Sequence, residues 1–328
     1  MTQSGVTTGR REAPRAPTLS AGAARLLSSL AAVFVLCALC APLFVDTVDH
    51  SAPKARGGVL DLSRAGPLTR PIELGGVWTL VWRSGAPGPA IGSARPAVVP
   101  GIWSDKGPDG TTLPSQGAGS YRLRLTGLRP GRYILYVPTV HAASRVAADG
   151  RVLSEWGVAG TSAAATQSTV RSHDVAIDVQ ASTLDLRLDI SAYHERNSGI
   201  DGAPLFGLAK PMSRWITLHW LRGLLLLTSA LILACYGLVV FVFRRRERSW
   251  LYFSAATFSL IPVLGVFAHD NLMLVVLPDM SLLTMRMIEY LTVVVALGTV
   301  VAYTDQLFPE ESPRWPFRIV QADRKSVV

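Results

Sequence analysis

The chain has 328 residues, of which 49% are hydrophobic and only 17% are charged, and its formal net charge is +9. A typical soluble domain carries roughly 25% charged residues, so this deficit predicts membrane segments. Much of the basic charge lies beside apolar runs, between Arg10 and Arg25 and between Arg244 and Arg248, as is typical of cytoplasmic loops. The positive charge therefore indicates membrane topology, and we expect no nucleic-acid partner.

The first 45 residues contain a polar tail and an apolar run. Residues 1–25 are rich in Thr, Ser, Arg, Pro and Gly, which predicts a disordered cytoplasmic tail. Residues 26–45 supply the roughly 20 apolar residues needed to cross a bilayer. They predict either a retained signal anchor or a signal peptide cleaved near Cys40 and Ala41. Both alternatives export the residues after this run.

Residues 46–214 show an apolar period of two, which predicts strands. Trp78, Leu80 and Trp82 alternate with smaller or more polar neighbours, and Trp78 is expected in the core. Asp149-Gly150 between two short apolar runs is a strong hairpin signal. Strands separated by Gly and Pro turns, without a helical pattern between them, predict an all-β sandwich outside the membrane.

Residues 215–322 lose this alternation and predict an α-helical membrane bundle. Ile216–Phe243, Leu251–Phe267 and Leu282–Tyr303 are expected to cross the bilayer, with a polar break at residues 269–271. The short segment Lys210–Ser213 is expected to link the sandwich to the first of these spans. With the amino terminus inside, the protein is expected to be a multi-pass protein of the bacterial inner membrane with residues 46–214 in the periplasm.

The sequence resembles bacterial seven-transmembrane receptors with diverse intracellular signalling modules over most of residues 70–320. The residues that carry the resemblance are Gly76-Val77-Trp78, Trp82, Val99-Pro100-Gly101-Ile102-Trp103, Gly117-Ala118-Gly119-Ser120-Tyr121-Arg122, Tyr193-His194, Gly199 and Phe206-Gly207. The same run is similar to the jelly-roll sugar-binding domain of family-two glycoside hydrolases. The resemblance implies a galactose-binding-like jelly roll as sensor, and a homodimeric full-length receptor.

This chain departs from that pattern at its carboxyl end. Receptors of this kind have seven spans and a cytoplasmic output domain, such as a diguanylate cyclase or histidine kinase, whereas three spans follow the sandwich here. Residues 323–328 resemble translated sequencing-adapter DNA, which predicts a non-native tail on a truncated reading frame. The alternative is a genuine short basic tail.

Catalytic and metal-binding motifs are missing from the sequence. It has no Gly-rich phosphate loop, no Gly-x-Ser-x-Gly elbow and no His-Glu-x-x-His pair, and His194-Glu195 lacks a second histidine four residues on. Cys37, Cys40 and Cys235 all lie in apolar runs, which excludes a thiolate site in the polar stretch between them. We therefore expect no enzyme, no metal and no cofactor in this chain.

Ligand binding is the alternative to catalysis for the sandwich. An indole face suits the apolar side of a sugar ring while polar rim groups bond its hydroxyls. Indoles beside turns and polar side chains near them are the candidates, although each also has a plain structural interpretation. They are Trp103, Trp156, His141, Arg171 and His173.

Charged residues inside the membrane spans form a second candidate site. Arg222 and Glu289 lie at similar depth in their spans, about 9–10 Å in at 1.5 Å per residue. Because an ionised group at that depth is costly unless it is paired, we expect an Arg222–Glu289 pair with Arg286 and His219 nearby. The alternative is that both arginines extend to the outer headgroups.

The favoured function is a receptor fragment that relays periplasmic ligand binding through helices to an absent output domain. Its expected partners are the lipid bilayer and a small-molecule or carbohydrate ligand. The alternatives are a membrane-tethered carbohydrate-binding module without signalling, and a transporter component. A tether needs only one span, and the inverted repeats of transporters are not visible.

Overall fold

A computed structural model describes residues 34, 38, 40–84, 92–160, 162–195, 198–267, 274, 277 and 280–308. The chain divides into two compact units, Met1–Val45 and Asp46–Val328. In the first unit a short 3-10 helix covers Ala41–Phe44. The expectations for the amino-terminal tail, for most of the anchor, for the polar break and for the last six residues lie outside the described residues.

Strands dominate the described residues between Asp46 and Leu208. They are β1 (Val59–Asp61), β2 (Ile72–Glu73), β3 (Gly76–Ser84), β4 (Ala94–Val99), β5 (Gly101–Ile102), β6 (Gly117–Thr126), β7 (Gly131–Ala148), β8 (Arg151–Trp156), β9 (Thr169–Val179), β10 (Thr183–Ala192), β11 (Gly199–Ile200) and β12 (Leu205–Leu208). Within the described chain the main sheet follows the order β2-β12-β7-β10-β6-β3-β4, with β1 on β6 and with β8 and β9 on β7. A separate pair is formed by β5 and β11.

The predicted alternation is confirmed along β3 and β6. Trp78, Leu80 and Trp82 point into the core, whereas the residues between them are half-buried. These side chains share one core cluster with residues of β7, β9 and β12 from the other half of the sheet. The sheet therefore folds over on itself and buries one face, which is the β-sandwich that the period of two predicts.

Strand β7 belongs to both halves of the sheet. Its first part pairs with β12 and β9, and its last part pairs with β10 and β8, with a register shift against β9 between Val137 and Val140. Such irregularities bend a strand. Tyr133–Val137 is apolar without alternation because both of its faces are covered. Tyr133 and its same-face neighbours fill the main core, while Ile134 and Tyr136 pack against the first helix.

The predicted hairpin at Asp149-Gly150 is confirmed. It joins the end of β7 at Ala148 to the start of β8 at Arg151. Both turn residues have positive φ, 48° at Asp149 and 80° at Gly150. Tight hairpin turns with two positive φ values favour Asp and Gly in these places, so the local sequence determines this connection.

Two glycines with positive φ test how much the close packing around β3 contributes to stability. Gly57 has φ 56° and open space where a Cβ would lie, whereas at Gly76, with φ 121°, a Cβ would overlap the backbone of Ala55. We expect Gly57→Ala to cost about 1–2 kcal/mol from backbone strain alone. Gly76→Ala is expected to cost clearly more, because Ala55 pairs with β3 and cannot move freely. Urea unfolding of the two variants measures the difference, and equal losses would contradict it.

Three α-helices follow the sandwich in the described residues: α1 (Ala209–Phe243), α2 (Ser249–Phe267) and α3 (Leu282–Leu307). Two stretches, Ala209–Phe243 and Leu283–Leu307, are long and apolar enough to cross a membrane. Helix α2, which contains Pro262, packs against both α1 and α3. The Ser254 hydroxyl on α2 donates to the Ala234 carbonyl on α1 at 2.6 Å.

Helix α1 begins directly after β12, at Ala209 rather than at residue 215. The segment expected to be a link, Lys210–Ser213, is therefore its first turn, where Pro211 is tolerated because no intrahelical partner exists for its missing N–H. Met212 is 0% exposed, and the Trp215 and Tyr136 rings lie 5.0 Å apart. The helix starts early because its first turns pack on the sheet, which a membrane-hydrophobicity pattern does not register.

Candidate functional site

An ion-pair cluster connects the sandwich to helix α3. The Arg286 guanidinium donates from Nη1 to Glu289 Oε2 at 2.7 Å and from Nε to Glu195 Oε1 at 3.2 Å. Their side chains are largely shielded, with 25% of Arg286, 21% of Glu195 and 11% of Glu289 exposed. One cation therefore bridges a carboxylate of the β-domain and a carboxylate of the helix. His141, Glu195, Arg286 and Glu289 together form the interface cluster.

Strand β10 and helix α3 position the charged members of this cluster. Glu195 follows β10, which pairs with β6 along its whole length. Arg286 lies in the second turn of α3, whose N-cap is Ser281. The Ser281 hydroxyl accepts from the Thr284 backbone N–H at 3.1 Å, which satisfies one free donor at the helix start. The guanidinium is thus held between two supported backbones.

His141 on β7 completes the interface cluster. Burial, followed by the positive charge of Arg286, lowers the pKa of its imidazole below the ordinary value, while Asp201, Glu195 and Glu289 act in the opposite sense. The imidazole is therefore neutral at pH 7. The sequence predicts His141 at the rim of a ligand pocket, and that role stays a prediction.

One contact of the expected intramembrane cluster forms, and another is corrected. Arg286 and Glu289 lie three residues apart on one helix face and form an ion pair, whereas the sequence predicts only that Arg286 lies near an Arg222–Glu289 pair. Among the ion pairs of the described residues, Glu289 is joined to Arg286 and not to Arg222. Similar depth is insufficient to bring residues of α1 and α3 together, because α2 packs against both helices.

The two α1 members of the expected intramembrane cluster have other neighbours. The His219 ring stacks on Trp215, with centroids 4.6 Å apart. Arg222 acts on Asp46: the pKa of the Asp46 carboxyl is lowered mainly by its hydrogen bond with His50, and the charge of Arg222 adds to this. These residues belong to the junction between the sandwich and α1 rather than to the interface cluster.

Three of the predicted ligand-binding residues come together at one place on the sandwich. The Arg171 guanidinium lies 4.6 Å above the Trp156 ring, and the Trp156 and His173 ring centroids are 6.4 Å apart. The Trp156 indole N–H donates to the Ser172 carbonyl at 2.9 Å. The prediction that these residues bind a ligand stays a prediction, and Arg171 at present covers one indole face.

His173 is a core residue rather than a pocket-rim residue. It is 0% exposed, and its ring nitrogens lie 2.8 Å from the Ser144 and Ser154 hydroxyls. Burial lowers the pKa of its imidazole to about 4, so the ring is neutral at pH 7. It cannot touch a ligand at the surface without rearrangement, which corrects its expected place.

Trp103 is also buried, at 2% exposed. Its indole N–H donates to the Tyr121 hydroxyl at 2.7 Å, and its ring meets Trp82 edge-on at 5.1 Å. Burial raises the pKa of the Tyr121 phenol, so that hydroxyl stays protonated. Because Trp103 is almost fully buried, its indole is not presented at the surface, so its expected position beside a binding face is corrected.

Glu195 is the member of the interface cluster that sequence reasoning missed. The sequence presents it only as part of an incomplete metal motif, and 91 residues separate it from Arg286. One signal was available: a guanidinium in a membrane span needs more acceptors than one carboxylate supplies. The sequence offered no means of choosing Glu195 among the other carboxylates.

No protein-family model and no curated protein matches the sequence. Several solved structures are distantly similar. A GH2 β-galacturonidase from Eisenbergiella tayi bound to galacturonate has 16% identity and a TM-score of 0.32, over 42% of this chain and 24% of that one. The Faecalibacterium prausnitzii β-glucuronidase has 17% identity and a TM-score of 0.31, over 43% and 31%. The β-D-glucuronidase of Dictyoglomus thermophilum has 12% identity and a TM-score of 0.31, over 42% and 27%.

This chain thus spans less than a third of the length of each of these structures. At such low identity and TM-score, nothing about activity or ligand follows from the similarity. The sandwich is defined by its own strand pairing and core.

Proposed function

We propose that the chain is the sensing and membrane-spanning part of a receptor of the bacterial seven-transmembrane class with intracellular signalling modules. In this proposal a ligand, for which carbohydrate is the favoured class, engages the sandwich in the periplasm and changes its docking on the helices. The observation that carries the proposal is the Arg286 bridge between Glu195 of the sandwich and Glu289 of α3. Such a bridge links the position of a helix to the state of the β-domain.

The direct passage from β12 into α1 supports the same proposal. Strand β12 ends at Leu208 and α1 begins at the next residue, Ala209, so no linker separates them. Met212 and Trp215 pack on β7 and β12. Movement of the sheet therefore has to move the start of α1. Two packed states that differ by a few kcal/mol are enough for a signal.

The exposed surface of the helices supports a membrane location. Much of their apolar surface faces outward, including Phe243 at 84% exposed, whereas a core helix of a soluble protein is mostly buried. Under the positive-inside bias, Arg244–Arg248 would face the cytoplasm and the sandwich would face the periplasm. The three-span bundle belongs to this proposal.

A membrane-tethered carbohydrate-binding module is the alternative function. The Trp156–Arg171 pair favours it, because an indole beside a guanidinium combines an apolar face with hydrogen-bond donors. The two functions differ in one measurable respect. A receptor moves its helices when the ligand binds, and a tethered module does not.

Distance measurements on the full chain in nanodiscs distinguish these functions. A glycan panel is first screened for compounds that raise the unfolding temperature. Spin labels are then attached at the exposed positions Ser182→Cys on the sandwich and Gln306→Cys near the end of α3, with the native cysteines replaced by serine. We expect a stabilising ligand to shift the distance distribution, and Arg286→Met to abolish that shift while ligand binding remains.

Two controls make this result specific. Arg248→Met removes an exposed cytoplasmic charge and should leave the ligand-induced shift intact. Dilution with unlabelled protein excludes distances between two copies of the chain. A ligand that binds without changing the distances would favour the tethered module over the receptor.

A further inference from the structure

A basic cavity lies where α1 leaves the sandwich. Its volume is about 450 Å³, and the lining residues that define it here are Thr47, Arg70, Lys210, Arg214 and Trp215. Sites for small ligands typically have volumes of roughly 300–1,000 Å³. The basic cavity therefore has room for a polar headgroup.

The charge of the basic cavity is strongly positive. Arg70, Lys210 and Arg214 are the charged side chains among its described lining residues, and no carboxylate is among them. The nearest acidic residues in sequence have other partners. Asp46 and Glu73 both pair with His50, at 2.8 and 3.0 Å.

The charge of Arg70 acts on the Asp49 carboxylate. Hydrogen bonds from the Ser51 hydroxyl and backbone N–H contribute most to lowering the pKa of the Asp49 carboxyl, and the charge of Arg70 adds less. Asp49 borders a neighbouring depression and does not line the basic cavity. The positive field of the cavity is therefore only partly offset.

Without an anion beside it, the start of α1 has two electrostatically unfavourable features. Lys210 and Arg214 are four residues apart on the same face, where like charges repel by a few tenths of a kcal/mol. The first turn has no acidic residue and no side-chain cap, although helix N-termini favour negative charge. An anion in the basic cavity would relieve both defects.

A second observation also indicates a missing polar partner. The Thr47 hydroxyl oxygen is buried and has no hydrogen-bond partner in the described part of the chain. Buried polar groups normally have such a partner. Because Thr47 lines the basic cavity, a ligand oxygen there can accept a hydrogen bond from the Thr47 hydroxyl.

The position of the basic cavity favours a lipid as the source of that anion. Trp215 lines it, and the apolar part of α1 begins at the next residue, Ile216. Tryptophan is enriched at the level of the headgroups. A phosphate in the basic cavity would then lie directly above the acyl chains that cover α1.

We propose that the basic cavity binds the phosphodiester of an anionic phospholipid from the outer face of the membrane. Arg70, Lys210 and Arg214 hold the phosphate, Thr47 donates to one of its oxygens, and the buried Trp215 forms part of the cavity wall. The lipid fixes the first turn of α1 against the sandwich. This inference rests on the membrane placement in the proposed function.

Lipid titration of the full chain tests the proposal. The wild type and the triple variant Arg70→Gln/Lys210→Gln/Arg214→Gln are placed in uncharged detergent, and phosphatidylglycerol or phosphatidylcholine is added. We expect phosphatidylglycerol, but not phosphatidylcholine, to raise the unfolding temperature of the wild type. Binding by the triple variant is expected to be about tenfold weaker or more, since several charge-assisted hydrogen bonds are lost.

A matched control removes the same charge elsewhere. Lys106→Gln/Arg122→Gln/Arg151→Gln changes three exposed residues of the sandwich and should bind phosphatidylglycerol as the wild type does. Equal weakening in the control would show general charge attraction and overturn the proposal. Inorganic phosphate that reproduces the whole effect would overturn it too, because the site would then bind free phosphate.

Flotation separates this proposal from the proposed function. If the wild type does not float with phosphatidylcholine vesicles, the membrane placement fails and the lipid site fails with it. If the wild type floats but phosphatidylglycerol gives no stabilisation beyond that of phosphatidylcholine, only the lipid site is overturned. A folded but non-binding triple variant that still floats is the result that supports both.

Discussion

Arg286→Met is expected to lower the free energy of unfolding by about 3–5 kcal/mol, because it leaves two shielded carboxylates without their cation. Glu195 and Glu289 would then face each other across the junction between the sandwich and α3. Methionine keeps most of the side-chain volume, so the loss reports charge rather than packing. The measurement is denaturant unfolding in detergent, followed by fluorescence.

A double-mutant comparison identifies the cause of that loss. Glu289→Gln in the Arg286→Met background should recover part of the stability, because one uncompensated charge is removed. Arg248→Met, at an exposed position, should change the free energy of unfolding by less than about 0.5 kcal/mol. A loss in Arg286→Met that the second substitution leaves unchanged would contradict an electrostatic role.

His173 is expected to make the protein acid-sensitive. The pKa of its imidazole is about 4 in the folded protein because of burial, against an ordinary value of 6.5. Between these values the unfolded chain binds more protons than the folded protein, so stability rises with pH in that window. The stabilising contribution of the neutral His173 is fully present well above pH 6.5. It should fall by about 2 kcal/mol at pH 5 and by about 3 kcal/mol at pH 4.

The variant His173→Gln isolates this contribution. Glutamine can donate to one serine hydroxyl and accept from the other, replacing the bonds to Ser144 and Ser154 without a titrating group. We expect it to be less stable than the wild type at pH 7, and to lose less stability on acidification. Parallel profiles for the wild type and His173→Gln would contradict the prediction.

The sequence predicted the strands more completely than it predicted the candidate site. Trp78 and the Asp149-Gly150 hairpin occur where the sequence places them, and Arg286 lies near Glu289 as expected, although it takes the place of Arg222 as the ion-pair partner. Each depends on residues within a few positions of one another. Trp103 and His173 were expected near a ligand, but both are buried. Aromatic and polar residues near turns have the same sequence signature whether they cover a core or line a pocket.

The sequence by itself determined the β-rich region, the two apolar helices and the sign of their flanking charge. These features depend on periods of two or on long apolar runs, which remain readable without knowledge of distant contacts. Tertiary structure alone decided that Arg286 bridges to Glu195, that α1 starts on the sheet at Ala209, and that three cations surround one cavity. Each of these results requires segments far apart in the chain to dock, and the energy of such a contact depends on geometry that local composition does not contain.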